Sequence, residues 1–388
     1  MDFSFSEEEV ALKDLATKIF DGCVKVEDLR AMEAGADWFH RKLWEELAKA
    51  GLLGVGLAAD VGGGEMGFIA TALLLEQVGR TVAPIPALAT LVMAALPIDR
   101  FGSPAQRERW LPRVVNGELV LSAALSEAVQ ADPLEPSTTA RRDGKGWKLD
   151  GVKIAVPAAS FAERVLVPAT TPDGQVVVAL VDPKASGVTL EKQILTTLEP
   201  HHRMTLAGVR VDDADVLGDA KRGREILGFI VDHTLAGLCI TEVGCAERGI
   251  RMMAEYTSTR VQFGRPIATF QAVAQRAGDA YIDVEAVRLS AWQAVWRLSA
   301  GLESSEELAI AKFWAAEGGH RALYAAQHLH GGIGVDTDYP LHRYYLLSKQ
   351  IELTLGSAKV QLARLGSILA TKGAAAPEAT EPRRAQAG

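Results

Sequence analysis

The order of hydrophobic periods along the chain restricts its fold more than any single motif. Helical spacing comes first, then a block of short β-branched runs, then helical spacing again. Residues 7–19 place Val10, Leu12, Leu15, Ala16 and Ile19 at helical intervals. A second helix is expected over residues 41–50, stopping at Gly51. After the glycine-rich loop GLAADVGGGEMG, the run FIATALLLEQVGR is apolar almost all round, as in a helix buried on most sides. RERWLPRVVNGE closes this block near Gly117. Beyond Glu118 the runs LVLSAALSE, WKLDGVKIAV, RVLVPAT, QVVVALVD, GVTLEKQ and LAGVRVDDADVLG read as strands, several separated by DG or PDG turns. From about Gly223 to Lys372 the helical period returns, with Ile226, Ile230, Leu238, Met252 and Met253 on long amphipathic helices. Trp292 and Trp296, four apart on one face, read as core packing.

Expected units are therefore an N-terminal α-helical domain over 1–119, a middle antiparallel β-domain over 120–222, a C-terminal helical domain over 223–372 and a disordered tail over 373–388. Together they form an α+β chain. This order excludes a Rossmann or TIM-barrel architecture, and the glycine clusters match neither GxGxxG nor a P-loop.

A net charge of −8 argues against a nucleic-acid partner, so a polyanion would have to be met by local cations or helix N-termini. Cys23, Cys239 and Cys245 stand in no metal-ligand or CxxC spacing and read as reduced thiols. The acidic start MDFSFSEEEV lacks the apolar segment of a signal peptide, and no apolar run is read as long enough to span a bilayer. A cytoplasmic protein with no membrane partner is expected.

YTSTRVQFGRPIATFQ, residues 256–271, resembles the R-x-x-F-G-x-x-I-x-x-x-Q signature of the acyl-CoA dehydrogenase family. HLHGGIGVDTDYPLHR, residues 328–343, resembles that family's Q-x-x-GG-x-G segment. WLPRVVNGE, ALSE, LDGVKIAV and DDADVLG add weaker matches in the same order, so the resemblance covers about residues 1–372. It implies N-terminal helices, a barrel-like middle domain, a C-terminal four-helix bundle, an FAD held at a subunit interface, and a homo- or hetero-oligomer, dimer or tetramer. The implied substrate is an acyl-CoA, and the implied electron acceptor is an electron-transferring flavoprotein or similar. The heteromeric steroid side-chain subgroup is suggested by the style of DYPLHRYYLLSKQIELTLGSA.

The resemblance also implies residue roles. Arg260 would meet the FAD pyrophosphate with a charge-assisted hydrogen bond, flanked by Gln262 and Phe263, and Gln271 would touch the adenine end. Gly331, Gly332 and Gly334 would let backbone approach the neighbouring subunit's cofactor, with His328 where the family has glutamine. Leu125 and Ser126 match positions around the isoalloxazine ring. Pro157 has no N–H to offer, so Ala155 and Val156 are the expected ring contacts on the other strand. Ser357 completes the cofactor set and Asp232 is the substrate-side residue, although the arginine expected four residues later is Ala236. The loop at 128–132, AVQAD, departs from the family's G-x-G-S-D.

The family's reaction removes an α-proton while a β-hydride goes to the flavin, and it needs a carboxylate over the α-carbon. In the usual E-G-T/S position this chain has Leu355, Gly356 and Ser357, and leucine is no base. Alternative base positions on the preceding long helix hold Thr234 and Thr241. Glu242 follows directly, between LAGLCIT and VGCA, where an apolar setting would raise its pKa; it is the catalytic candidate, set against a hydrogen-bonded core glutamate. Three functions remain open: an FAD-dependent dehydrogenase of an unusual acyl-CoA, by itself or as one subunit of a heteromer whose partner supplies the glutamate, a non-catalytic subunit that completes a partner's FAD site, and a flavin oxygenase or oxidase on the same fold.

Overall fold

The computed structural model describes residues 4–35, 38–130 and 132–375. Helix α1 (Glu7–Cys23) starts at a capping box: Glu9 N–H donates to Ser6 Oγ at 3.2 Å and Ser6 N–H to Glu9 Oε2 at 2.7 Å. It buries Leu12, Ala16 and Phe20, four apart, whereas Val10 and Leu15 of the expected face point to solvent. Helices α2 (Val26–Ala34) and α3 (Arg41–Lys49) follow. Helix α4 (Gly67–Thr81) is buried along most of its length, as its composition required. A π-helical stretch, Leu88–Ala95, runs into α5 (Leu96–Phe101), and α6 (Pro104–Val115) ends the block.

One seven-stranded sheet follows: β1 (Val120–Ala123), β2 (Thr139–Arg142), β3 (Gly146–Pro157), β4 (Ala162–Thr170), β5 (Val176–Val181), β6 (Val188–Ile194) and β7 (Pro200–Asp212). Its order is β1-β4-β2-β3-β7-β6, with β5 on β4. The long β3/β7 and β6/β7 ladders are antiparallel, while β1 lies parallel to β4. Near its end β3 bulges between Lys153 and Val156, and Ala155 takes a positive φ of 49°.

Helix α7 (Gly223–Thr259) is the axis of the molecule. It contradicts the expectation from composition, since it carries a window apolar and long enough to cross a membrane. That window is 83% buried within the fold, as for a core helix. It crosses α4 at close range. A Cβ on Gly79 would lie 1.9 Å from the Thr241 carbonyl oxygen and one on Gly244 2.0 Å from that of Glu76. After a two-stranded turn, β8 (Val261–Gln262) and β9 (Arg265–Pro266), helices α8 (Gln271–Ser299), α9 (Ser305–His330) and α10 (Leu341–Leu353) pack into a bundle with α7. Helix α11 (Ala358–Ala375) leans on α9 and continues past residue 373, where a tail was expected; residues 376–388 of that tail, like Ala131 in the 128–132 loop, lie outside the described residues.

Candidate functional site

Two adjoining cavities lie where the sheet, the π-helical stretch, α7 and α10 meet. The smaller, about 60 Å³, is walled on the sheet side by Leu125, Ser126, Ala155 and Pro157, and on the helical side by Ala89, Met93, Thr234 and Leu355. The sheet wall is fixed by backbone pairing. Ile154 N–H donates to the Ser126 carbonyl at 2.9 Å, and the bulge then turns Ala155 toward the cavity. The Ala155 N–H is already taken by Gln193 Oε1 at 2.7 Å. Val156, expected at the ring, points the other way and is fully buried in the sheet core, because side chains alternate across a strand.

Below this wall lies a buried ion pair. Lys153 Nζ meets Glu127 Oε1 at 2.6 Å, with side-chain exposures of 0% and 2%. Glu127 also accepts from the backbone and hydroxyl groups of Ser137 and Thr138. Burial alone would raise its pKa, but the Lys153 charge and these donors outweigh burial and hold it down to about 2.

The opposite wall is the turn between α10 and α11, where Leu355 adopts a positive φ of 54°. Lys312 of α9 pins this turn: its buried Nζ donates to the carbonyls of Ile351 at 2.8 Å, Glu352 at 3.2 Å and Gly356 at 3.1 Å. Leu355 faces the small cavity, whereas Ser357 lines neither cavity. Thr234 and Thr241 reach the small and the large cavity respectively, but each hydroxyl is tied back to the carbonyl one turn earlier, at 2.6 and 2.8 Å.

Glu242 does not reach either cavity. One residue beyond Thr241 is a rotation of about 100° on a helix, and it turns the carboxyl to the far side of α7. There it is 0% exposed, faces Gly319 of α9, and accepts from Ser348 Oγ at 2.7 Å through Oε1 while Oε2 has no partner. Burial pushes its pKa up to about 8, against the lowering effects of Ser348 and Lys312. Asp232 is likewise away from the cavities. It pairs with Arg364 at 3.2 Å, and burial raises its pKa.

The sequence reading missed Glu199 and His201. Glu199 lines both cavities and His201 the smaller one. His201 Nε2 lies 3.2 Å from Glu199 Oε2, and Gln350 Nε2 donates to the same oxygen. Burial would raise the Glu199 pKa, but His201 and Gln350 prevail and lower it. The run EPHH at the head of a strand was the available signal.

The other expected cofactor residues stand on the outside. Arg260 ends α7 and forms no ion pair among the described residues. Gln262 and Phe263 form the β8–β9 hairpin, where Phe263 has a φ of 55° and is 92% exposed. Gln271 begins α8 on the surface. His328 stacks on Tyr324, and Gly331 and Gly332 form an exposed turn after α9. Tyr281, Ile282 and Leu289 leave an apolar strip on the outer side of α8. No group of three or more His, Cys, Asp or Glu among the described residues could hold a metal ion.

Helices, a curled sheet and a helical bundle around a cleft at their junction define the acyl-CoA dehydrogenase fold. The family profiles described as "Acyl-CoA dehydrogenase, N-terminal domain" and "C-terminal domain" match residues 6–118 and 222–369. Acyl-CoA dehydrogenase FadE27 of Mycobacterium tuberculosis is 37% identical over 95% of this chain and 99% of its own length. FadE28 of the same organism is 32% identical over 95% and 98%. Among solved structures, the Tcur3481-Tcur3483 steroid ACAD matches at 42% identity and TM-score 0.89, and the ChsE4-ChsE5 complex from M. tuberculosis at 37% and 0.90, each over 95% of this chain and 99% of the other. The chain belongs to the acyl-CoA dehydrogenase family. Its chemistry is FAD-dependent α,β-dehydrogenation of an acyl-CoA thioester.

FAD can be tested against these residues. A ligand-sized site needs about 300 Å³ or more; the cavity between Ala155 and Leu355 offers about 60 Å³, and the Ala155 N–H on its wall is capped by Gln193. A flavin ring does not fit there. The unpaired Arg260 and the exposed hairpin, Gln271 and diglycine turn would suit the pyrophosphate and adenine end of a cofactor whose ring another chain holds.

Proposed function

We propose that this chain is one subunit of a heteromeric acyl-CoA dehydrogenase for a bulky, steroid-type acyl-CoA, in which the partner supplies both the catalytic carboxylate and the pocket for the flavin ring. The observation that carries the reading is the split just described: an unpaired Arg260 and a protruding Phe263 hairpin outside, and a narrowed ring slot facing Leu355 inside. The relatives known as a steroid ACAD and as the ChsE4-ChsE5 complex support both the substrate class and the two-protein assembly. FAD, when bound, accepts the β-hydride. This chain's part is to hold and orient: Arg260 on the pyrophosphate, Gln262 and Phe263 beside it, Gln271 toward adenine, and Gly331 and Gly332 giving close backbone approach with His328 nearby. The strip of Tyr281, Ile282 and Leu289 on α8 is the surface on which the partner docks. Leu125, Ser126, Ala155 and the Leu355–Ser357 turn are the remains of a ring site, and Glu242 is a core residue, not the base. Electrons leave to an electron-transferring flavoprotein or similar acceptor, in the cytoplasm.

The test is to purify the chain alone and together with a paralogous dehydrogenase subunit. Alone it should be colourless and inactive. The complex should carry flavin that bleaches with a steroid acyl-CoA, and Arg260→Ala in this chain should lower flavin occupancy about tenfold or more, as loss of a charge-assisted contact predicts. Stoichiometric flavin and full turnover from the chain alone would overturn the proposal.

A further inference from the structure

The larger cavity, about 350 Å³, is not explained by the cofactor. Its wall combines α4, the π-helical stretch, α7, α10 and the loop before β7 with α2. Most of that wall is apolar, and among its polar residues two keep hydrogen-bonding capacity to spare. Arg343 of α10 is only 7% exposed; its Nε and Nη2 grip Glu33 of α2 at 2.5 and 2.6 Å, but its Nη1 is buried with no partner. Glu199 is the second: its Oε2 accepts from Gln350 and lies 3.2 Å from His201 Nε2, and its Oε1 accepts no hydrogen bond among the described residues. Arg343 and Gln350 lie on one face of α10, seven residues apart, so the free donor and the Glu199 carboxylate are about 10 Å apart along the helix.

We propose that this cavity is a non-catalytic binding site for a free, rigid polycyclic lipid with a carbonyl at one end and a hydroxyl or second carbonyl at the other. A buried guanidinium N–H without an acceptor is costly and calls for one, and a ligand carbonyl supplies it. A hydroxyl at the far end donates to Glu199 Oε1, while the second side-chain N–H of Gln350 beside it serves a carbonyl. The volume is at the small end of the range for ligand sites and suits four fused rings without a CoA tail. Turnover does not follow, because Leu355 takes no proton.

Helix α2 is the door. Leu29 is its single buried residue, and Leu29, Met32 and Glu33 all face the cavity. The helix is held to α10 by the Glu33–Arg343 fork and to the segment before α10 by Arg30, 3.4 Å from Asp338. Opening that fork admits the ligand and exposes Arg343 to it.

The inference extends the subunit reading above, and its test is separable from it. Androstenedione is titrated calorimetrically into the purified complex of this chain with its partner, whose flavin content and steroid acyl-CoA turnover are measured on the same preparation. Saturable binding, with one site per copy of this chain, is expected. Androstane, the same rings without oxygens, should bind at least about tenfold more weakly, as should the dione to Arg343→Lys, which keeps the charge for Glu33 but loses the spare N–H. Leu346→Trp, which fills the cavity, should abolish binding with flavin and turnover intact. No saturable binding in a complex that turns over, or binding indifferent to Leu346→Trp, overturns the site. Equal affinity for androstane, or for Arg343→Lys, overturns the carbonyl assignment.

Discussion

Replacing Glu242 with glutamine decides between the two meanings of a carboxyl buried in α7. The unfolded carboxyl titrates near 4.5 and the folded one near 8, because burial disfavours the charge. A group whose folded pKa is raised gives its full stability below the unfolded value and loses it as pH rises through the folded one. Each pH unit in that window costs about 1.4 kcal/mol, so the loss between pH 4.5 and 8 is on the order of 4–5 kcal/mol. Lys312, lowered to about 8 from 10.5 chiefly by burial, changes stability only above this window. Glutamine has no charge to form. It still accepts from Ser348 through Oε1, but it places an NH₂ where Oε2 had no partner, at a cost of about 1 kcal/mol. The variant should therefore be about 1 kcal/mol less stable than the parent at pH 4, about equal to it near pH 5 and about 3 kcal/mol more stable at pH 8. Urea unfolding followed by circular dichroism at half-unit pH steps measures this. Parallel pH profiles would refute the burial argument. A drop in turnover of the assembled enzyme by a hundredfold or more would instead place the carboxylate in the chemistry.

Lys153→Met removes the partner of Glu127 and leaves a buried carboxylate beside the ring wall, so unfolding free energy should fall by about 3–5 kcal/mol, and pairing it with Glu127→Gln should restore part of that. In the parent, the stability from Glu127, whose folded pKa is depressed, is present above pH 4.5 and lost as pH falls toward 2; acid titration of the Lys153→Met protein should lack that segment of the curve. Lys312→Met leaves the carbonyls of Ile351, Glu352 and Gly356 without their donor, for a loss of roughly 3 kcal/mol at neutral pH, with faster amide exchange confined to the end of α10 and the Leu355 turn.

Much of the fold was legible because its elements follow local rules. Ser6 and Glu9 announce the start of α1 by a capping box, and the apolar run of α4 states its own burial. Two of the elements that escaped notice carry little burial, α2 with only Leu29 and β2 with only Ala140, whereas the π-helical stretch Leu88–Ala95 escaped because it is buried on nearly every side and shows no polar face to set a period. Val10 and Leu15 were misassigned because a helix that packs on one side needs only every fourth residue inside, and Leu12, Ala16 and Phe20 already fill that line. The exposed elements proposed to hold the cofactor stand out by their motifs, but motif order says nothing about which chain a loop faces.

At the site itself, legibility failed by single residues. Thr241 and Glu242 share one apolar stretch, so sequence shows that both are buried but not that the helix turns one to the cavity and the other to α9. Val156 lost its expected place to the same kind of alternation, on a strand that bulges one residue earlier. Glu199 left only the run EPHH as a signal, because its second partner, Gln350 of α10, is 151 residues away. The Leu355 turn shows what such failures conceal. Lys312 still fixes its backbone through three carbonyls, and Leu355 still holds the left-handed conformation that aims its side chain across the cleft. A non-glycine residue keeps such a conformation only where its surroundings impose it. On the division of labour proposed above, this rigid turn is what the subunit keeps for assembly and binding while its partner carries the chemistry.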